Sequence, residues 1–235
     1  MTTEIREGDR KAAFDAALNA YGPDSLYVPP LWSDFDRMFD AAKNPFVTEG
    51  HGRYALFSAH RDGKPVGRIA ASMIATAVHR PGKIAVFVGG YRWHGHELRE
   101  TGFRSYFREF APQFSVLDTL VNLETRQLTY EATLDLLARH PDLRGIYCAG
   151  GGMEGAIAAL REARQPGDVA LVVNEIIPES RAGLADRYLA LVIATPLATL
   201  CRDLVELMIA AVEQGVSDFS GQHFLQPDLY LPESV

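Results

Sequence analysis

The sequence predicts an α/β fold: a doubly wound, mostly parallel sheet preceded by a small α+β N-terminal segment. Two observations carry this. Residues 84–88, 115–121, 146–149, 169–173 and 189–193 are short, mostly apolar runs, as in strands covered on both faces. Between them, apolar residues recur at helical spacing, and strands that alternate with helices build a parallel sheet. One stretch shows the unit whole. Ile146 to Ala149 is strand-like, Gly150, Gly151 and Gly152 follow, and Ala156, Ile157 and Leu160 mark a helix. A strand that ends in glycines before a helix N-terminus leaves backbone N–H groups facing a crevice.

The remaining elements follow in order. Residues 1–65 have a different texture, with a weak helix over 11–20 and an extended Tyr27-Val28-Pro29-Pro30 stretch. Ser33 can cap a short helix, and residues 54–60 alternate like a strand. The Asp62-Gly63 pair signals a hairpin, but Val66, Ile69, Ala70, Met73, Ile74 and Ala77 form an amphipathic stripe over three turns. The longer signal decides for a helix. Residues 84–88 lead through Gly89-Gly90 into a helix with Leu98, Phe103, Tyr106 and Phe107. A second helix carries Tyr130, Leu134 and Leu137, and a short one spans residues 180–185. Thr195 and Pro196 open a helix with Leu197, Leu200, Leu204, Leu207 and Met208, expected to be core, and Gly215 closes it. Residues 222–231 contain a proline and make an edge strand at best.

The totals bound the function. The 235 residues are 47% hydrophobic and 23% charged, an ordinary globular composition, and the net charge of −7 argues against direct nucleic-acid binding. The polar N-terminus and the lack of an 18-residue apolar run point to no signal peptide and no membrane, with a cytoplasmic location as the default. Cys148 and Cys201 lie on apolar stretches and are expected to be buried free thiols.

In an open parallel sheet, ligands bind beyond the carboxyl ends of the strands. The polar residues expected there include Tyr91, Arg92, Trp93, His94, His96 and Arg99, then Asn122 and Glu124, and finally Asn174 and Glu175. Rings that stack on sugar faces, an arginine fork and carboxylates suit a small polyhydroxyl ligand. His94 and His96 have H-x-H spacing without a third ligand, so a solvated loop is expected rather than a metal site. No metal and no resident cofactor are expected. A competing reading is a dinucleotide fingerprint. Gly150, Gly152 and Gly155 satisfy G-x-G-x-x-G, and Glu175 follows Gly155 by 20 residues. That would make the chain an NAD(P)-dependent oxidoreductase, but it falls on the third unit of the sheet, and no hydride-transfer partner stands out.

Residues 66–235 resemble the effector-binding region of the lactose-repressor (LacI) family of transcription regulators, itself similar to periplasmic sugar-binding proteins. The carriers are V-G-R-I-A-A-S-M-I from Val66, K-I-A-V-F-V-G-G-Y-R-W-H-G-H-E-L-R-E-T-G-F from Lys83, A-R-H-P-D-L-R-G-I-Y from Ala138, the glycine run, I-A-T-P-L-A-T-L-C-R-D-L-V-E-L-M from Ile193 and F-L-Q-P-D-L-Y-L-P-E-S-V from Phe224. The resemblance implies a periplasmic-binding-protein-like lobe that binds a sugar-like effector. It implies that Arg99 and Glu175 contact that effector. Gly151 and Gly152 stand where many members carry Asp or Asn. The expected ligand set is Tyr91, Trp93, Arg99, Glu124, Gly151, Gly152, Met153 and Glu175, in a non-enzymatic module that can pair as a homodimer. The family's helix-turn-helix and the first lobe of its clamp are not matched. Residues 1–65 resemble the start of a GNAT-type N-acetyltransferase through Y-V-P-P-L-W, D-A-A-K-N-P-F and A-L-F-S-A-H-R-D-G-K-P-V-G-R-I-A-A. The acetyl-coenzyme A pyrophosphate loop of that family is not found, so acetyl transfer is not implied. The two resemblances overlap at residues 66–71.

Overall fold

The computed structural model describes residues 64–78, 80–91, 94–214 and 225–235. The expectations for residues 1–63, including the acetyltransferase resemblance, lie outside the described residues. The chain divides into two compact units, residues 62–196 with 226–235, and residues 1–61 with 197–225.

In the first unit, α1 (Lys64–Ala77) precedes β1 (Lys83–Val88) and α2 (His94–Phe110). Two short strands follow, β2 (Ser115–Val116) and β3 (Leu120–Val121), then α3 (Arg126–Arg139), β4 (Leu143–Cys148) and α4 (Met153–Ala163). The last elements of this unit are β5 (Ala170–Asn174), α5 (Pro178–Ala185), β6 (Leu189–Ala194) and β7 (Asp228–Tyr230). The helix reading of residues 66–78 therefore holds against the hairpin. The run 115–121 is broken into two strands, because Asp118 and Thr119 interrupt its apolar pattern.

The sheet order is β2-β1-β4-β5-β6-β7, with β3 also on β1. Pairings are parallel from β2 and β3 across to β6, with Val86 opposite Tyr147 and Tyr147 opposite Val172. Among the described strands, only β7 runs antiparallel, on the edge beside β6. Successive strand residues feed opposite faces. Ile84, Val86 and Val88 pack with Ile74, Phe103 and Phe107 of α1 and α2. Ala85 and Phe87 pack on the other face with Leu136, Leu137, Met153, Ile157 and Leu160 of α3 and α4. Phe103 stacks on Tyr147 at 5.2 Å and meets Phe107 edge-on at 5.1 Å, joining α2 to the middle of the sheet.

The path of the chain locates the crevice. From β1 it moves through α2 to β2 and β3 on one side, then returns through α3 to β4 on the other side of β1. From β4 onward it moves steadily outward to β5 and β6. The direction of winding reverses between β1 and β4, so a gap opens at their carboxyl ends.

Of the second unit, α6 (Leu197–Gln214) is described. Its apolar stripe was expected to be core. Leu197, Leu200, Leu204, Leu207 and Met208 are instead 40–63% exposed. Periodicity shows that a helix has an apolar face, but not what covers it. Cys201 shares this exposure, so the expectation of two buried thiols fails for Cys201 and holds for Cys148. Burial pushes the Cys148 thiol up to about 12, with Glu154 adding to the shift.

Candidate functional site

The gap between β1 and β4 is lined by three loops. The first follows β1 and holds Gly89, Gly90 and Tyr91; Tyr91 is 44% exposed. The second follows β3. Its residues Leu123 and Glu124 both adopt left-handed angles, φ 51 and 58, which side chains other than glycine rarely take. Buried Asn122 holds them there. Its Oδ1 accepts the Glu124 N–H at 3.0 Å, and its Nδ2 donates to Thr129 Oγ1 and to the Gly151 carbonyl, both at 2.9 Å. One amide thus ties the loop after β3 to the glycines after β4.

Those glycines form the floor. Gly152, at φ 84, is the N-cap of α4. The Glu124 side chain folds over the floor, and its Oε1 accepts the Gly151 N–H at 3.2 Å. A β-carbon at Gly89 would fall 2.3 Å from Glu124 Cγ, and one at Gly150 would fall 2.6 Å from the His96 ring. Only glycine admits both side chains so close to the strand ends.

Two residues of α2 close the gap from above. Arg99 Nη1 donates to the Ala149 carbonyl at 2.6 Å, which pins the end of β4. His96, expected in a solvated loop, is 8% exposed. Its Nδ1 accepts the Gly89 N–H at 3.2 Å, and its Nε2 lies 3.5 Å from Glu124 Oε1. Burial first, and then the Arg99 charge, hold the His96 pKa below its ordinary value, while Glu124 pulls it up.

Farther along the rim, Glu175 also has left-handed backbone, φ 68. Its carboxylate accepts the Thr195 N–H at 3.0 Å and the Thr195 hydroxyl at 2.7 Å, joining the ends of β5 and β6. The Thr195 hydroxyl, expected to cap the next helix, donates to Glu175 instead. Beneath them, the buried Tyr147 hydroxyl donates to Asn174 Oδ1 at 2.9 Å. Burial raises the Tyr147 pKa far above its ordinary value despite the nearby Arg99 charge and the Asn174 bond.

Arg99, Glu124, Gly151 and Gly152 therefore meet at one gap, and Glu175 stands on the same rim two strands from β1. Met153 is 6% exposed and packs with Ile157 and Leu160; it belongs to the core, because it is the first residue of α4 on the face that meets the sheet. Trp93 lies outside the described residues. The positions that sequence reasoning undervalued are His96, Asn122 and Thr195, whose roles depend on partners distant in the chain. The oddity of Leu123-Glu124 before a helix leaves no sequence signal at all.

The dinucleotide reading does not survive this geometry. Gly155 serves helix packing, since a β-carbon there would lie 2.1 Å from the Arg126 carbonyl of α3; the third glycine of a fingerprint does the same, so the loop before it decides. The space over Gly150 and Gly151 is filled by His96 and Glu124 rather than left for a pyrophosphate. Among the described residues, no group of three or more His, Cys, Asp or Glu could hold a metal, and no helix is long and apolar enough to cross a membrane.

The fold is similar to that of several solved structures. One is GanP, a glucose-galactose binding protein from Geobacillus stearothermophilus, with a TM-score of 0.66 and 16% identity over 74% of this chain and 61% of that one. Another is an ABC transporter solute-binding protein from Agrobacterium vitis bound with alpha-D-tagatopyranose, with a TM-score of 0.66 and 24% identity over 73% and 57%. A third is an ABC transporter periplasmic solute-binding protein from Actinobacillus succinogenes with bound D-allose, with a TM-score of 0.65 and 20% identity over 73% and 60%. The chain thus spans about three fifths of the length of these structures. A search among curated proteins gave no match. No comparison supports the acetyltransferase resemblance. The periplasmic binding protein domain profile matches residues 46–215, most of the chain and part of the segment before residue 66, and it describes binding domains rather than enzymes. The chain belongs to the periplasmic binding protein domain family.

Proposed function

We propose that the gap between β1 and β4 binds a small sugar-like molecule, and that the chain acts as the effector-sensing part of a LacI-type regulator. One observation carries the first part. The winding of the sheet reverses where Arg99, Glu124 and the Gly150–Gly152 floor converge, and the fold is shared with proteins whose structures hold tagatose and allose. Arg99 spends one donor on Ala149 and has others to offer. Glu124 and Glu175 are acceptors with lone pairs beyond those their partners take, which suits the vicinal hydroxyls of a sugar. Tyr91 offers an exposed ring for a sugar face.

The resemblance of residues 66–235 to the lactose-repressor family supports the regulatory role, a role exercised in the cytoplasm, and the net charge of −7 argues against direct nucleic-acid contact by these residues. A second reading, solute capture for a transporter, is favoured by the solved relatives that serve ABC transporters. Calorimetry of the full chain against glucose, galactose, tagatose, allose and arabinose tests the ligand. Binding with a rise in melting temperature is expected, and heatless titrations at millimolar sugar overturn the proposal. Fractionation of the source cells separates the two roles, because a transporter's capture protein leaves the cytoplasm and a regulator stays in it.

A further inference from the structure

We infer that His96 is a positioning residue for Glu124, fixed in its neutral Nε2–H form and holding the carboxylate over the glycine floor. The inference rests on the proposed ligand site, because it makes His96 a determinant of that site's affinity. Glu124 sits on a stretch that resists its own conformation, with left-handed angles at both Leu123 and Glu124. Its backbone is held by Asn122, but its side chain is half out in solvent, 40% exposed. Among the described residues, two groups reach that carboxylate: the Gly151 N–H and the His96 ring.

The ring has one arrangement that satisfies both nitrogens. Because Nδ1 accepts the Gly89 N–H, the proton of the neutral imidazole must be on Nε2, which faces Glu124 Oε1. The ring is clamped, since the backbone at Gly150 leaves no room for a β-carbon beside it. A histidine that served packing alone would leave the loop after β3 untouched. This one bridges the end of β1 to a residue that the fold places on the rim from a different strand. A second proton would go to Nδ1 and set N–H against the Gly89 N–H. The charged groups facing the ring among the described residues are Arg99 on its own helix and Glu124 across the gap.

The test starts without ligand. Long-range 1H–15N spectra of the full chain labelled with 15N-histidine, with His96 assigned by its loss in His96→Gln, report the tautomer and its titration. The Nε2–H form is expected at pH 7.5. In Glu124→Gln the titration midpoint should fall by about half a pH unit, the size expected of a part-exposed ion pair. The Nδ1–H form, or an unmoved midpoint, overturns the inference. The second arm uses whichever sugar of the calorimetry panel binds. His96→Leu should weaken it at least about fivefold. His96→Gln, which keeps an amide donor near the place of Nε2, should recover most of that loss, and His96→Leu should cost nothing more in a Glu124→Ala background. Equal losses for the Leu and Gln variants overturn the inference. If no sugar binds while tautomer and midpoint behave as expected, the ligand reading fails and the positioning of Glu124 stands.

Discussion

The two ends of the sheet are built differently. At the amino ends of β1 and β4, Lys83 reaches the Asp142 carboxylate at 3.4 Å and His140 Nδ1 at 3.2 Å, with side chains one third to one half exposed. These are ordinary surface pairs. At the carboxyl ends, a buried amide, a buried imidazole and two carboxylates bond backbone groups that follow three different strands. Among the described residues, three of the four non-glycine residues with left-handed backbone, Leu123, Glu124 and Glu175, stand at that end, and Arg187 is the exception near the other. Strain persists only where surrounding bonds over-determine it, and it gathers at binding sites. The contrast separates an end that only closes the fold from one that holds groups in position.

The largest effect expected from this contrast is at Asn122. Asn122→Ala removes three hydrogen bonds from a site that is 2% exposed and should cost about 2–3 kcal/mol, read as a lower urea midpoint. A loss like that of a surface pair would erase the difference between the two ends. Arg99→Ala should keep the fold and weaken sugar binding at least about tenfold, some 1.4 kcal/mol, by calorimetry. Unchanged affinity would remove Arg99 from the site. Leu123→Gly should work in the opposite direction and stabilise by about 0.5–1 kcal/mol. It relieves a left-handed residue that is 63% exposed and so has little burial to lose.

Acid should act on the carboxyl end through His96. Its folded pKa lies below the ordinary 6.5, so the unfolded chain takes up the proton first. Stability from this residue is therefore complete above pH 6.5 and falls as the pH drops through the lowered folded value. Urea midpoints at pH 7.5 and 5.0 should differ less in His96→Gln than in the wild type. The smallest change belongs to the amino end. Asp142→Asn should alter stability by no more than about 0.5 kcal/mol, since its pair with Lys83 is exposed. A cost above 2 kcal/mol there would show the two ends to be alike.

Much of the fold was legible because it is written in local periodicity. The stripe from Val66 to Ala77 outweighed a turn dipeptide and is a helix. The strands at Ile84, Ile146, Leu171 and Leu189 were found from apolar runs, since burial on both faces leaves no polar alternation. The site was legible in outline, because loops after parallel strands gather at one edge. Its wiring was not. The partner of His96 is 28 residues away in Glu124, and that of Glu175 is 20 residues away in Thr195. No local pattern marks such pairs. Met153 was misplaced for the same reason: a residue just after a glycine loop can face either the rim or the core. The α6 stripe shows the limit from the other side, as apolar spacing alone does not supply a covering layer.

By itself the sequence determined the alternation of strands and helices, the doubly wound class and the edge of the sheet that carries polar loops. Hydrophobic spacing and glycine placement act within a few residues of one another, so they can be read along the chain. Only the tertiary structure decided that winding reverses between β1 and β4 and that Glu124 folds over the glycines beneath His96. It also decided that the Gly151 N–H is taken by Glu124 instead of facing a phosphate. Each of these depends on which strand lies beside which. That is fixed by burying both faces of the sheet together, a sum over the whole domain that no short stretch contains.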